Sequence, residues 1–207
     1  MNTEILLNCW HIYYVNALKF FFLYTPFFAL SMFLCMTAEY TEENRKKLSK
    51  RVMRAAFIIS VILLFIGNAI FSIFGVTLDA FRVGVGTILL LSGIGLVKGR
   101  AVEANIPTDE DIAVVPMALP IIVGPATIGT ILVMGTELKT IAEKLSCVAA
   151  MATACLILWT MLYLANTMEE KFGHRIIEIL SKITGLILSS LAAQLILSGI
   201  KGFLFQA

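Results

Sequence analysis

Six stretches of predominantly apolar residues, at 20–38, 55–74, 81–97, 112–135, 145–166 and 176–205, set what this chain can fold into. A helix needs roughly 20 such residues to cross the hydrocarbon of a bilayer. The first stretch supplies 19, or about 28 Å of helix, and reaches back to residue 12 if Lys19 snorkels to the interface. Composition agrees: of 207 residues, 59% are hydrophobic and 14% charged, with a mean hydropathy of +0.91. Soluble domains run near about 45–50% apolar and about 25% charged. The excess has no place in water, which excludes a soluble enzyme, a disordered chain and a nucleic-acid binder. Lipid is the solvent. The expected fold is an all-α polytopic membrane protein, one integral domain over residues 1–207.

Loop charges orient the spans. Eleven basic residues lie in alternate loops: Arg45, Lys46, Lys47, Lys50, Arg51 and Arg54, then Lys98 and Arg100, then Lys171, Arg175 and Lys182. Only five, Lys19, Arg82, Lys139, Lys144 and Lys201, fall on the other side. The positive-inside rule places the richer side in the cytoplasm and both termini outside. The first ten residues carry no basic n-region or small-residue cleavage motif, so no cleavable signal peptide is expected. Cys9, Cys35, Cys147 and Cys155 form no CxxC pair and read as small apolar residues.

The two halves echo each other. Thr25-Pro26 interrupts the first stretch and Gly124-Pro125 the fourth. Phe74-Gly75 follows Pro26 by 49 residues, and Phe172-Gly173 follows Pro125 by 48. Each half ends in a glycine-bearing basic tail, Val97-Lys98-Gly99 and Ile200-Lys201-Gly202. The expectation is two three-helix repeats, about 12–99 and 110–204. Three is odd, so the second must enter the membrane upside down, the pattern of many secondary transporters.

The interruptions carry the candidate chemistry. Pro26 has no amide hydrogen, so the carbonyl of Phe22 is expected to lose its helical partner and to need another in lipid. Tyr24 and Thr25 place hydroxyls beside it. Pro116, Pro120, Gly124 and Pro125 fall within ten residues, against a continuous α-helix there. Spans one and four are therefore expected to be discontinuous. A broken helix offers N–H groups to a carboxylate and C=O groups to an ammonium, and a zwitterionic amino acid carries both. Tyr24, Thr25, Pro26, Gly124, Pro125, Ala126 and Thr127 are the candidate substrate-binding residues, with Asn68 and Gln194 as candidate cavity-lining residues. Two packed, kinked helices would use the same prolines.

No Asp, Glu, Arg or His falls at the middle of a span. A buried Ser/His pair, an acidic dyad and a metal-ligand cluster are all missing from the pattern. No P-loop occurs. The chain is expected not to be an enzyme and to use no cofactor or metal. A coupling ion, Na⁺ or H⁺, is left open.

At the paired proline motifs the sequence resembles the MarC family of bacterial inner-membrane proteins, the six-span neutral amino acid transporter family. The resemblance rests on Tyr24-Thr25-Pro26-Phe27-Phe28-Ala29-Leu30, on Ala38-Glu39-Tyr40-Thr41-Glu42-Glu43-Asn44-Arg45 and on Phe74-Gly75-Val76-Thr77-Leu78-Asp79-Ala80-Phe81-Arg82-Val83-Gly84-Val85-Gly86. Its most specific part is Val115-Pro116-Met117-Ala118-Leu119-Pro120 with Gly124-Pro125-Ala126-Thr127-Ile128. Where the family usually has Asn-Pro and a small residue, this chain has Thr25-Pro26-Phe27; where it tends to have Gly-Gly after Arg82, this chain has Val85-Gly86. The resemblance implies a bacterial inner-membrane transporter of small neutral amino acids such as glycine, alanine or serine, with no nucleic-acid partner. The alternative is a non-transporting membrane scaffold or accessory protein, distinguished by whether span four borders a hydrated cavity.

Overall fold

The computed structural model describes residues 2–38, 40–99 and 113–205. These form seven α-helices and one π-helical segment: α1 (Asn2–Leu23), α2 (Pro26–Met36), α3 (Glu42–Phe74), α4 (Leu78–Val97), the π segment (Ala113–Ile122), α5 (Pro125–Glu137), α6 (Ile141–Tyr163) and α7 (Ala165–Phe205). Among the described residues, four segments are long and apolar enough to cross a membrane: Trp10–Met36, Leu78–Val97, Ile141–Tyr163 and Arg175–Leu204. Large apolar side chains on the outer helix faces, such as Ile58, Leu91, Leu156, Leu186 and Leu197, are more than half exposed. In lipid that exposure costs nothing, because the acyl chains are as apolar as the side chains.

Several helices outrun the apolar stretches, and each extension has a local cause. The second stretch was expected from residue 55, but α3 starts at Glu42. Lys46 pairs with Glu42 and Lys47 with Glu43, each one turn apart. The two carboxylates also favour the positive helix N-terminus. They are held below the usual carboxylate range by those lysines. The first stretch begins far earlier than residue 20, because α1 lies along α6 and Tyr13 bonds Thr153 at 2.9 Å. The third helix begins at Leu78 rather than 81, since Thr77 accepts the amide of Ala80 as an N-cap. The fifth stops at Tyr163 rather than 166, where Leu164 leaves the helical region (φ −97°, ψ 19°). Glu39, Arg100 and the expected start of the fourth span at residue 112 lie outside the described residues.

Both Phe-Gly pairs mark sharp turns. Gly75 has φ 62° and Gly173 φ 72°. Gly173 divides α7 into a short and a long limb. Such positive φ is open to glycine without steric cost.

Packing is closest where small residues face each other. α4 lies along α7, and a Cβ on Gly185 would sit 2.7 Å from the carbonyl of Gly93. Side chains any larger would push the helices apart, the usual rule for helix pairs in lipid. α3 meets α5 with Gly67 against the Leu132 carbonyl, where a Cβ would sit at 2.7 Å. α1 packs on α6, the π segment on α3, α2 on α7, α5 on α4, and α3 on α6. The two interrupted segments, α1–α2 and π–α5, enter this assembly from different partners, and their breaks meet inside it.

Candidate functional site

The first break is a single residue deep. Thr25 sits in the left-handed region (φ 45°, ψ 60°), where a β-branched residue is an outlier. Left-handed Thr25 folds its own amide back onto the Phe22 carbonyl at 3.0 Å. The expectation that Phe22 loses its partner is thus corrected, because a three-residue turn replaces the four-residue bond that Pro26 cannot make. Helical bonding resumes with Ala29 donating to Thr25 at 2.8 Å, and Pro26 occupies the first helical position of α2. No side chain caps that end, so the amides of Phe27 and Phe28 have no helical acceptor. The Thr25 hydroxyl is buried and bonds no described group.

The second break is wider. Residues 113–122 form a π-helix, a form rare beyond single turns. Val123 donates to Ala118, five residues back, at 2.9 Å. Pro116 and Pro120 fall in this run, and neither can donate the backbone bond that a regular α-helix requires. Gly124 is extended (φ −76°, ψ 174°), Pro125 starts α5, and again no side chain caps the end. The amides of Ala126 and Thr127 are left without helical acceptors, since the first α5 bond is Ile128 to Gly124 at 2.9 Å.

One hydrogen bond joins the breaks. The Thr127 hydroxyl donates to the Leu23 carbonyl at 3.1 Å. Thr127 is 3% exposed. Beside it, wholly buried Tyr24 donates its hydroxyl to Ser60 Oγ on α3 at 3.0 Å. Of the sequence-predicted residues, Pro26 and Ala126 are buried, Gly124 is half-buried and Pro125 exposed. The side chain of Asn68 lies outside the described residues.

A cavity of about 580 Å³ between α1, α4, α5 and α7 touches this junction only at Leu23; of the sequence-predicted residues Gln194 lines it, whereas Tyr24, Thr25, Pro26 and residues 124–127 do not. Its α5 wall is Thr130, Val133, Met134 and Glu137, the face that Thr127 continues one turn on. Its α1 wall is Lys19 and Leu23, the latter being the acceptor of the Thr127 bond. Gln194 lines the α7 side with Ser198 and Lys201. Arg82 stands at the mouth and donates to Asp79 Oδ1 and Glu137 Oε1, both at 2.6 Å. Asp79 is itself buried against Gly202, where a Cβ would fall on its carboxylate.

Leu23, Ser60, Thr130, Glu137 and Arg82 were not among the sequence-predicted site residues. A partial signal existed for Arg82 and Lys201, both basic residues assigned to the same membrane face. Chemically, the junction offers two uncapped helix N-termini with partial positive charge and one unpaired hydroxyl. Next to it, at Leu23, lies a cavity with a mixed apolar and polar wall and the charged groups of Lys19, Arg82, Glu137 and Lys201.

The profile of the MarC family, described as a MarC family integral membrane protein, matches residues 10–204. A UPF0056 membrane protein of Methanocaldococcus jannaschii is 31% identical over 201 residues, covering 93% of this chain and 98% of the relative. One of Buchnera aphidicola is 31% identical over 183 residues, covering 86% of this chain and 87% of the relative. The UPF0056 membrane protein YhcE of Escherichia coli is 28% identical over 199 residues, covering 92% and 93%. No solved structure matches.

Proposed function

Because this chain belongs to the MarC family of integral membrane proteins, we propose that it is a secondary transporter of small neutral amino acids such as glycine, alanine and serine. The observation that carries this reading is the Thr127–Leu23 bond, which ties the two helix breaks together at Leu23, a residue that also lines the cavity. A carboxylate can be met there by the uncapped amides of α2 and α5. An ammonium can be met by the free carbonyl lone pairs and the Thr25 hydroxyl. Tyr24, Thr25, Pro26 and the run Gly124, Pro125, Ala126 and Thr127 surround the substrate in this reading, and Gln194 lies along its path.

Alternating access follows from two inverted repeats rocking against each other. Span one is α1 with α2, spans two and three are α3 and α4, span four is the π segment with α5, and spans five and six are α6 and the long limb of α7. Exchange of the repeats maps the α1–α6 contact onto the π–α3 contact and α2–α7 onto α5–α4. It maps α4–α7 and α3–α6 onto themselves. Every one of these pairs is packed, and Gly75 and Gly173 occupy equivalent turns.

With the eleven-residue basic side in the cytoplasm, both termini and the cavity mouth face outward across a bacterial inner membrane. A scaffold whose broken helices only pack would have no use for a cavity lined by Leu23, the last residue of α1 before the first break. The test is uptake and efflux of labelled glycine, alanine and serine by the purified protein in liposomes, with Na⁺ and proton gradients imposed separately. Saturable, protein-dependent flux is expected, and the gradient arms identify the coupling ion. No flux of any small neutral solute overturns the reading.

A further inference from the structure

The mouth of the cavity holds an unbalanced set of charges. Arg82 spends its two terminal nitrogens on Asp79 and Glu137, so three groups share one positive and two negative charges. Lys19 from α1 and Lys201 from α7 also line the cavity. Neither makes an ion pair with a described residue. Together the five groups carry one surplus positive charge beside a cavity whose remaining wall mixes apolar side chains with Thr130, Gln194 and Ser198. A ligand carboxylate balances it. Glu137 keeps 46% of its side chain exposed beside that surplus and holds only one oxygen against Arg82. It is therefore open to an ammonium and unfavourable to a bare anion approaching alone.

We propose that this mouth is an outer binding station for a zwitterionic amino acid, in which Lys19 and Lys201 hold the carboxylate and Glu137 the ammonium. The station lies on the path described above and rests on the transport reading for its purpose, though not for its binding chemistry. The helical order fits a relay. On α1, Leu23 follows Lys19 by one turn. On α5, Thr130 lies two turns from Glu137 and Thr127 one turn further. A zwitterion released from the mouth therefore moves about 10–15 Å, at 1.5 Å per residue, to the paired breaks. Gln194 and Ser198 offer neutral hydrogen bonds along the same wall. With about 580 Å³ of space, the cavity admits such a ligand together with several waters, each taking about 30 Å³.

The test is equilibrium binding of alanine, alaninamide and propionate to the purified full-length protein in detergent, measured by calorimetry. Alaninamide lacks the carboxylate and propionate lacks the ammonium. Wild-type protein is expected to bind alanine best. Lys19→Gln and Lys201→Gln are each expected to weaken alanine binding at least about tenfold, the worth of one charge-assisted hydrogen bond. Lys19→Arg and Lys201→Arg are expected to restore it, which separates binding from folding. Glu137→Gln is expected to weaken alanine while leaving propionate unchanged or tighter. Equal binding of alanine by wild type and both glutamine variants overturns the proposal. So does alaninamide binding as tightly as alanine, or no alanine binding at all. Carboxylate-dependent binding with no flux in liposomes would remove the transport reading and leave the station standing. Flux with an unchanged KM in both glutamine variants would do the reverse.

Discussion

The hydroxyl of Thr127 and the carbonyl of Leu23, 104 positions apart in the chain, meet at 3.1 Å in a buried contact. That bond satisfies the carbonyl at the C-terminal end of α1 and fixes the start of α5 against it. Thr127→Val keeps the shape and removes the donor. It is expected to cost about 1–2 kcal/mol, the penalty for a buried acceptor left alone, moderated by the modest worth of such bonds in membranes. Thr127→Ser keeps the hydroxyl and is expected to stay near wild type. Thermal unfolding in detergent gives the stability, and initial flux rates show whether the valine variant also stalls transport.

Thr25 holds a left-handed conformation (φ 45°) that costs a β-branched residue about 1–3 kcal/mol. Its hydroxyl recovers nothing from the described residues. Thr25→Gly is expected to stabilise the protein by about 1 kcal/mol, because glycine adopts this conformation freely. Thr25→Asn, which tolerates it as well, is expected to be at least as stable as wild type. Lower flux in a more stable Thr25→Gly protein would assign the strained hydroxyl to substrate handling. Unfolding curves and flux on the same preparations separate the two effects.

Tyr24 and Ser60 bond each other with Tyr24 fully buried. A double-mutant cycle of Tyr24→Phe and Ser60→Ala is expected to return a coupling of about 0.6–1.7 kcal/mol, the range for interhelical hydrogen bonds in membranes. Additive effects of the two changes would mean the pair contributes packing alone.

Arg82 is bonded to two carboxylates of unequal exposure. Asp79 is 7% exposed, so Arg82→Met leaves a buried charge without its partner and is expected to cost about 3–5 kcal/mol. Glu137 is half-exposed, and Glu137→Gln is expected to cost under about 1 kcal/mol. Arg82→Met with Asp79→Asn together is expected to recover most of the loss. Loss of folded protein on heating, followed by size exclusion in detergent, ranks the three.

The breaks were legible because proline and glycine act locally: Pro26, Gly124 and Pro125 sit at the two breaks, and Pro116 and Pro120 fall in the run that is π-helical instead of α-helical. The apolar stretches were legible for the same reason, since bilayer thickness fixes their length. The helix ends were not. Glu42 and Glu43 extend α3 through ion pairs with Lys46 and Lys47, and hydropathy reads such residues as loop. Left-handed Thr25 runs against its intrinsic preference, so no local rule moves the lost bond from Phe22 onto Thr25's own amide. The cavity was hidden because Lys19, Arg82, Glu137 and Lys201 lie on four different helices. Only the rotation of each helix about its axis brings them together, and a linear pattern does not encode which spans pair. Gly93 against Gly185 was hidden likewise, because neither is informative until α4 is known to lie on α7.

The most direct measurement is counterflow. Liposomes holding the purified protein are loaded with unlabelled alanine and diluted into labelled alanine, with wild type and Gly124→Leu in parallel. The backbone at Gly124 (φ −76°, ψ 174°) is ordinary extended chain open to any residue, so leucine there adds bulk at the second break without backbone strain, and equal abundance of folded protein separates lost transport from lost packing. Wild type is expected to accumulate label transiently above equilibrium, and Gly124→Leu, present at equal abundance, to match empty vesicles. A wild-type trace that also matches empty vesicles would contradict the account.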